Sequence, residues 1–164
     1  MWIRLSGGGA AVALLLMAGC ALGGGPGIGG GLTWDAGLAT PRDVMEKPVR
    51  VLRNYQYDME REDGPPNIYL LTRWRQRAPL GDEAEMGAEM AQTRFIVEAR
   101  PRQRSPETTD DVYTVRVRVQ NEVRMEGETD WVEADPTDEF RAYASHIAAL
   151  IREELEVGIR IWDD

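Results

Sequence analysis

The chain has 164 residues and a formal net charge of −9, with 28 acidic and 19 basic side chains. This length suits a single folded domain once a leader and a linker are set apart. The acidic balance argues against nucleic acid as a partner, because nucleic-acid binding favours a basic surface. One Cys and one His are too few for an intrachain disulfide or a zinc-type metal site.

The first twenty residues have the layout of a secretory signal. Arg4 precedes an uncharged stretch of fifteen residues, Leu5–Gly19, and small residues stand directly before Cys20. A cationic start, an apolar centre and small residues before the cleavage point are typical of a signal peptide. A membrane-spanning helix needs about 20 predominantly apolar residues. We therefore predict a signal peptide over residues 1–19, and a transmembrane anchor is the less favoured alternative.

The run Leu15-Leu16-Met17-Ala18-Gly19-Cys20 resembles the lipobox of bacterial lipoproteins. The resemblance implies that Cys20 is acylated, becomes the first residue of the mature protein and attaches it to a membrane. Met17 departs from the Leu that the family prefers. Ala21 stands where an aspartate would resemble an inner-membrane retention signal. The resemblance thus implies a lipid-anchored cell-envelope protein, at the outer membrane and facing the periplasm.

A glycine-rich segment follows the cysteine. Residues 23–31 read Gly-Gly-Gly-Pro-Gly-Ile-Gly-Gly-Gly, a composition that behaves as a flexible coil. A phosphate-binding loop would need a preceding strand and a following helix, and the sequence predicts neither. We therefore predict a lipidated, flexible tether over residues 20–41 and a single domain over residues 42–164.

Alternating apolar residues predict four strands, which occupy residues 49–57, 68–76, 93–100 and 113–125. The last is the clearest, because its odd-numbered positions are mostly apolar and its even-numbered positions are polar or charged. Strict period two is typical of an antiparallel strand with one face in water. Asn121 interrupts the apolar row, and we expect a bulge near it, since a buried amide needs a partner or a way out.

The C-terminal part predicts an amphipathic helix. Asp135 is a good N-cap, Pro136 suits the first helical position and Gly158 is a natural stop. Apolar residues between Phe140 and Leu155 recur at helical spacing. A short edge strand over residues 159–162 and a shorter helix over residues 82–91, with Asp82 and Glu85 as a capping pair, complete the prediction. The fold class is α+β: an antiparallel sheet of about four strands packed against one C-terminal helix.

Arginines recur on the side of the predicted strands that faces away from this helix. On neighbouring strands their guanidinium groups would suit phosphate or carboxylate groups. An envelope protein partner or an anionic glycolipid would fit such a face. The alternative is a solvated face whose arginines pair with Glu98 and Glu122. The candidate binding face comprises Arg73, Arg75, Arg94, Arg116, Arg118 and Arg124.

We find no nucleophile, metal or cofactor motif and expect no enzymatic activity and no cofactor. Ser145 and His146 are adjacent on the predicted helix and point about 100° apart, which does not make a dyad. A lipid-anchored sheet covered by a helix resembles, in architecture alone, accessory lipoproteins of envelope assembly such as the lipopolysaccharide-transport lipoprotein. We therefore expect an accessory or assembly role. The alternatives are a carboxylate-dependent hydrolase of cell-wall glycan and a purely structural tethered domain.

Overall fold

The computed structural model describes residues 31–102 and 112–160. Within these ranges the chain forms seven strands and three helices. They are, in chain order, β1 (Leu32–Ala39), α1 (Pro41–Asn54), β2 (Met59–Asp63), β3 (Ile68–Thr72), β4 (Arg75–Arg77), α2 (Gly81–Glu85), β5 (Ala88–Pro101), β6 (Tyr113–Met125), β7 (Val132–Glu133) and α3 (Asp138–Arg160).

The strands form one antiparallel sheet in the order β1-β6-β5-β3-β2. Strand β4 pairs with β5 after β3 has ended, and β7 pairs with β6 beyond the start of β1. The predicted α+β class and C-terminal helix are confirmed. The sheet has seven strands in the described part of the chain, however, rather than about four. Strand β2 is mostly charged, β7 has only two residues, the predicted strand over 68–76 is divided into β3 and β4, and β1 lies in the segment predicted as tether.

Strand β6 has the predicted bounds and the predicted buried row. Its side chains at positions 113, 115, 117, 119, 121 and 123 are buried, and those between them are more exposed. The bulge predicted near Asn121 is wrong, because Asn121 pairs with Thr93 in regular register. Its amide instead hydrogen-bonds to Glu83 and accepts a bond from Arg77, so the polar group has gained partners.

The prediction of a strand over residues 49–57 is wrong, because α1 occupies most of this segment. Thr40 caps the helix by accepting a hydrogen bond from the Asp43 backbone at 3.1 Å, and Pro41 occupies the first turn. Val44, Pro48 and Leu52 follow at helical spacing and are buried. Adjacent residues of a strand face opposite sides, whereas the neighbours Val51 and Leu52 are both on the buried side of α1. The alternation that suggested a strand is therefore accidental.

Strand β1 lies within the segment predicted as tether. Leu32, Trp34, Ala36 and Ala39 face the core, where they pack against other apolar side chains. A bulge between Asp35 and Gly37, with Gly37 at φ +86°, restores the inward direction of the last residues. The described fold therefore begins about ten residues before the predicted boundary at residue 42.

Helix α3 carries the predicted apolar stripe. Phe140, Ala144, Ile147, Ile151 and Leu155 are buried, and Tyr143 and Leu150 are partly buried against the same core. Its N-cap is Thr137 rather than Asp135, because the Thr137 hydroxyl accepts a hydrogen bond from the Phe140 backbone at 3.2 Å.

The length of α3 corrects two predictions, the helix stop at Gly158 and the edge strand over residues 159–162. The helix continues through residue 160, so Ile159 is helical, whereas positions 161 and 162 lie outside the described residues.

Helix α2 is shorter than the predicted segment 82–91 and ends at Glu85. Gly87 adopts φ +90°, which an L side chain rarely adopts, and β5 begins at the next residue. The predicted pairing of Asp82 with Glu85 does not form. Glu83 accepts a hydrogen bond from the Leu80 backbone at 2.8 Å instead. The main core is formed by the sheet with α1 and α3 and contains no residue of α2.

Candidate binding face

A bulge between β3 and β4 decides which arginines share a face. Leu71 lies opposite Ile96, whereas Arg75 lies opposite Thr93, so four steps along one strand match three along the other. The extra residue reverses the alternation of side chains. Arg75 therefore lies on the helix-covered side, with its guanidinium 5.4 Å from the centre of the Tyr57 ring. The prediction that Arg75 shares a face with Arg94 is wrong.

The outer face is the side of the sheet opposite α1 and α3. Register places four of the predicted arginines there, because each alternates with buried residues that face the helices. They are Arg94, Arg116, Arg118 and Arg124. Arg73 is exposed in the link between β3 and β4. Cys20 lies outside the described residues.

Two of the outer-face arginines, Arg118 and Arg94, have close partners. Arg118 forms an ion pair with Glu98 at 2.6 Å. Arg94 donates to Gln120 at 2.6 Å, and its guanidinium lies 4.4 Å from the centre of the Trp74 ring. These contacts agree with the expectation of a solvated face with cross-strand pairs. They also hold the side chains close to the sheet.

Arg124 makes looser contacts at one end of the outer face. Its guanidinium lies 5.5 Å from the centre of the Trp131 ring and 3.9 Å from the Glu89 carboxylate. Arg116 is the exception on this face. It is exposed, lies across from Glu98 and Asp35, and makes no hydrogen bond or ion pair with the described residues.

An apolar strip runs beneath the arginines of the outer face. Tyr69 and Leu71 of β3 adjoin Ile96 of β5, and Ile96 is only 4% exposed. The Arg61 guanidinium lies 5.2 Å from the centre of the Tyr69 ring. Arginine stems can cover apolar surface while their charged ends remain in water. The alternation of β3 indicated Tyr69 and Leu71, but it gave no sign that Ile96 would join them.

A buried polar network lies on the other side of the sheet. Arg77 forms a bidentate ion pair with Glu83, at 2.6 and 2.7 Å. It also donates to Thr93, Asn121 and the Ala78 carbonyl, which occupies all five of its N–H groups. Asn121 in turn donates to Glu83 at 2.8 Å. A network so fully satisfied holds α2, β4, β5 and β6 together and leaves no donor for a ligand.

Two carboxylates of α2, those of Asp82 and Glu83, have lowered pKa values. Burial raises the pKa of Glu83, but hydrogen bonds from Arg77, from the Leu80 backbone and from Asn121 outweigh it and leave the pKa below its usual range. Burial likewise acts to raise the pKa of Asp82, and the hydrogen bond from the Glu139 backbone helps to bring it below the usual range. Glu139 returns the contact by accepting from the Gly81 backbone at 2.7 Å, so α2 and α3 cap each other.

The best-formed concavities of the described surface are shallow. One of about 450 Å³ includes Glu46 and Glu62, which lie within ion-pair distance of Arg42 and Arg53. Another of about 420 Å³ lies between α1 and α3 and is lined partly by Tyr55 and Leu150.

The described residues contain no group of three or more His, Cys, Asp or Glu side chains placed to hold a metal ion. Ser145 donates to the Ala142 carbonyl, while the Nε2 atom of His146 lies 2.9 Å from the Tyr55 hydroxyl. These two residues therefore do not face each other as a dyad.

None of the helices in the described ranges combines the length and the apolar character that crossing a membrane requires. Comparison with models of protein families found none that matches the chain, and comparison with curated proteins found no match either.

Proposed function

We propose that this chain is a non-enzymatic, lipid-anchored protein of the cell envelope that binds an envelope protein or an anionic glycolipid through its outer face. The lipobox-like run ending at Cys20 supports the anchor. The arrangement of the helices supports the binding face. Both long helices pack on one side of the sheet, and the other side presents arginines to solvent.

Arg116 is the observation on which the binding proposal rests. The other arginines of the outer face contact a carboxylate, an amide or an aromatic ring, whereas Arg116 makes no such contact among the described residues. A guanidinium that lacks a partner keeps its full capacity for a bidentate bond to a phosphate or carboxylate. Arg118 is its neighbour on the same face of β6, and Arg94 of β5 lies diagonally beyond Arg118.

The anchor is tested by purifying the tagged full-length protein from native membranes after cross-linking, with Cys20→Ala as the comparison. We expect the wild-type chain to sediment with membranes and to retain a protein or glycolipid. The Cys20→Ala chain should be released. Equal membrane association of both chains would contradict lipid attachment at this residue.

The binding face is tested separately by Arg116→Glu, with Arg53→Glu as a control of equal charge change. Arg53 is exposed on α1 and makes only a loose contact of 4.0 Å with Glu62. We expect Arg116→Glu to weaken partner retention by about tenfold while the urea unfolding midpoint is unchanged. Equal retention by both variants would remove the outer face from the proposal.

A further inference from the structure

One end of the domain carries a second, smaller apolar cluster. It lies where β5, β6 and β7 extend past the main core, and it is separate from the residues that pack beneath α1 and α3. Its members are Ala88, Ala91, Val123, Met125 and Ala134. We call it the end cluster.

Two apolar side chains beside the end cluster are exposed to solvent. Val132 lies directly opposite Val123 and is 48% exposed. Met86 is 53% exposed and precedes Gly87, where an added Cβ would lie 3.5 Å from the Met125 methyl carbon. Large apolar side chains grouped at such exposure indicate a contact surface more often than single ones do. Methionine side chains adapt readily to differently shaped apolar partners.

Carboxylates surround the end cluster. Residues 126–135 contain five acidic side chains and no basic one, and α2 contributes another. All are exposed and form no ion pair with described residues. They are Glu85, Glu126, Glu128, Asp130 and Asp135, and also Glu133, which lies opposite Glu122 and therefore faces the outer side of the sheet. The nearest cations have other contacts, since Arg124 lies over Trp131 and Arg141 donates to the Pro136 carbonyl.

We propose that the end cluster and its carboxylates bind a basic polypeptide segment with an apolar face. Apolar side chains of such a segment would cover Met86 and Val132, and its Lys or Arg side chains would pair with the surrounding carboxylates. An anionic membrane surface or a nucleic acid would be repelled by the same carboxylates. The surface is distinct from the outer-face arginines and does not depend on the lipid anchor.

The test measures binding of the full-length chain, in a nonionic detergent, to a dye-labelled amphipathic peptide of leucine and lysine. The comparison peptide has glutamate in place of every lysine. We expect the lysine peptide to bind at micromolar concentration and the glutamate peptide not to bind. Binding of the lysine peptide should weaken as salt rises, because the surrounding carboxylates are exposed.

Charge variants locate the contact. Glu126→Gln/Glu128→Gln/Asp135→Asn should weaken peptide binding by about tenfold. Asp58→Asn/Glu60→Gln/Glu153→Gln removes the same charge at exposed positions elsewhere and should leave affinity within about twofold. Equal losses in the two triple variants would overturn the proposal, because they would show attraction to the net charge alone.

Apolar variants provide the second criterion. Met86→Ser/Val132→Ser should weaken binding by about fivefold without moving the urea midpoint, since both side chains are half exposed. Unchanged affinity would overturn the apolar part of the proposal. Arg116→Glu should bind the peptide as the wild type does, which separates this surface from the outer face. Self-association of the chain that the acidic triple variant abolishes, without peptide binding, would overturn the proposal in favour of a second copy.

Discussion

Two ion pairs of equal length show how environment decides the contribution of a residue. Arg77–Glu83 and Arg118–Glu98 both have a closest distance of 2.6 Å. The side chains of the first pair are 9% and 0% exposed, and those of the second are 42% and 30% exposed. Removing one partner of a buried pair leaves an uncompensated charge, whereas water screens the remaining charge of an exposed pair. The two pairs should therefore respond very differently to truncation.

We expect Glu83→Ala to lower the free energy of unfolding by about 3–5 kcal/mol and Glu98→Ala by about 1 kcal/mol or less. Urea titration monitored by circular dichroism measures both. Arg77→Met/Glu83→Leu/Asn121→Leu removes every charge of the buried network and should recover most of the loss. Similar losses for Glu83→Ala and Glu98→Ala would contradict the assigned difference in burial.

Asp82 and Glu83 of α2 make the stability of the domain sensitive to acid. The pKa values of Asp82 and Glu83 lie below their usual range in the folded chain, so the unfolded chain binds protons first as the pH falls. Their contribution to stability is complete above the unfolded pKa of about 4 and is lost as the pH falls through the lower folded values. We expect the free energy of unfolding of the wild type to decline below about pH 5.

The variant Asp82→Asn/Glu83→Gln isolates this contribution. It lacks both titrating groups, so its free energy of unfolding should start lower at neutral pH and fall less on acidification. Urea midpoints measured across the acidic range for both chains provide the comparison. Parallel curves for the two chains would show that other carboxylates govern the acid response.

At the scale of elements, the sequence predicts an element well when its apolar residues fit either a strand or a helix but not both. Strand β6 was predicted at its true bounds because its two rows differ sharply in polarity. Helix α1 was missed because its valines also fit period two. Thr40 as N-cap and Pro41 in the first turn are the residues that distinguish a helix from a strand in this segment.

The candidate face shows a different limit of sequence reasoning. Arg94, Arg116, Arg118 and Arg124 lie on the same side of the sheet, because the alternation of side chains is kept along β5 and β6 at these positions. Arg75 was misplaced because one extra residue between β3 and β4 reverses the alternation. Such a bulge has no distinctive composition here, and it becomes visible only when the register with β5 is known.

The cap of α1 provides a test at this scale. Thr40→Ala removes the oxygen that accepts from the Asp43 backbone and should lower the free energy of unfolding by about 1 kcal/mol. Thr40→Ser keeps that oxygen and should remain close to the wild type. Chemical denaturation of the three chains distinguishes them. If the alanine and serine variants were equally stable, the hydroxyl would not be the cap.

Across the whole molecule, charge is separated into distinct regions. Arginines occupy the outer face, and carboxylates that form no ion pair with described residues lie in the segments beside the end cluster. The acidic run over residues 126–135 is visible in the sequence. The apolar surface beside it is not, because only strand pairing places Val132 against Val123, and only the turn at Gly87 brings the chain next to Met86 close to Met125. The sequence thus shows where charge lies along the chain but not which apolar groups it surrounds.

Strand β1 supplies the last test, which concerns where the folded unit begins. Leu32, Trp34, Ala36 and Ala39 pack into the main core, and β1 lies against β6 and beneath α3. A chain that starts at Gly31 keeps these contacts and should unfold cooperatively at the wild-type urea midpoint. A chain that starts at Thr40 exposes the edge of β6 and the apolar side of α3, and it should lose cooperative unfolding because much of one core wall is missing. Equal midpoints for the two truncated chains would show that residues 32–39 do not stabilise the domain and would restore the tether boundary near residue 42.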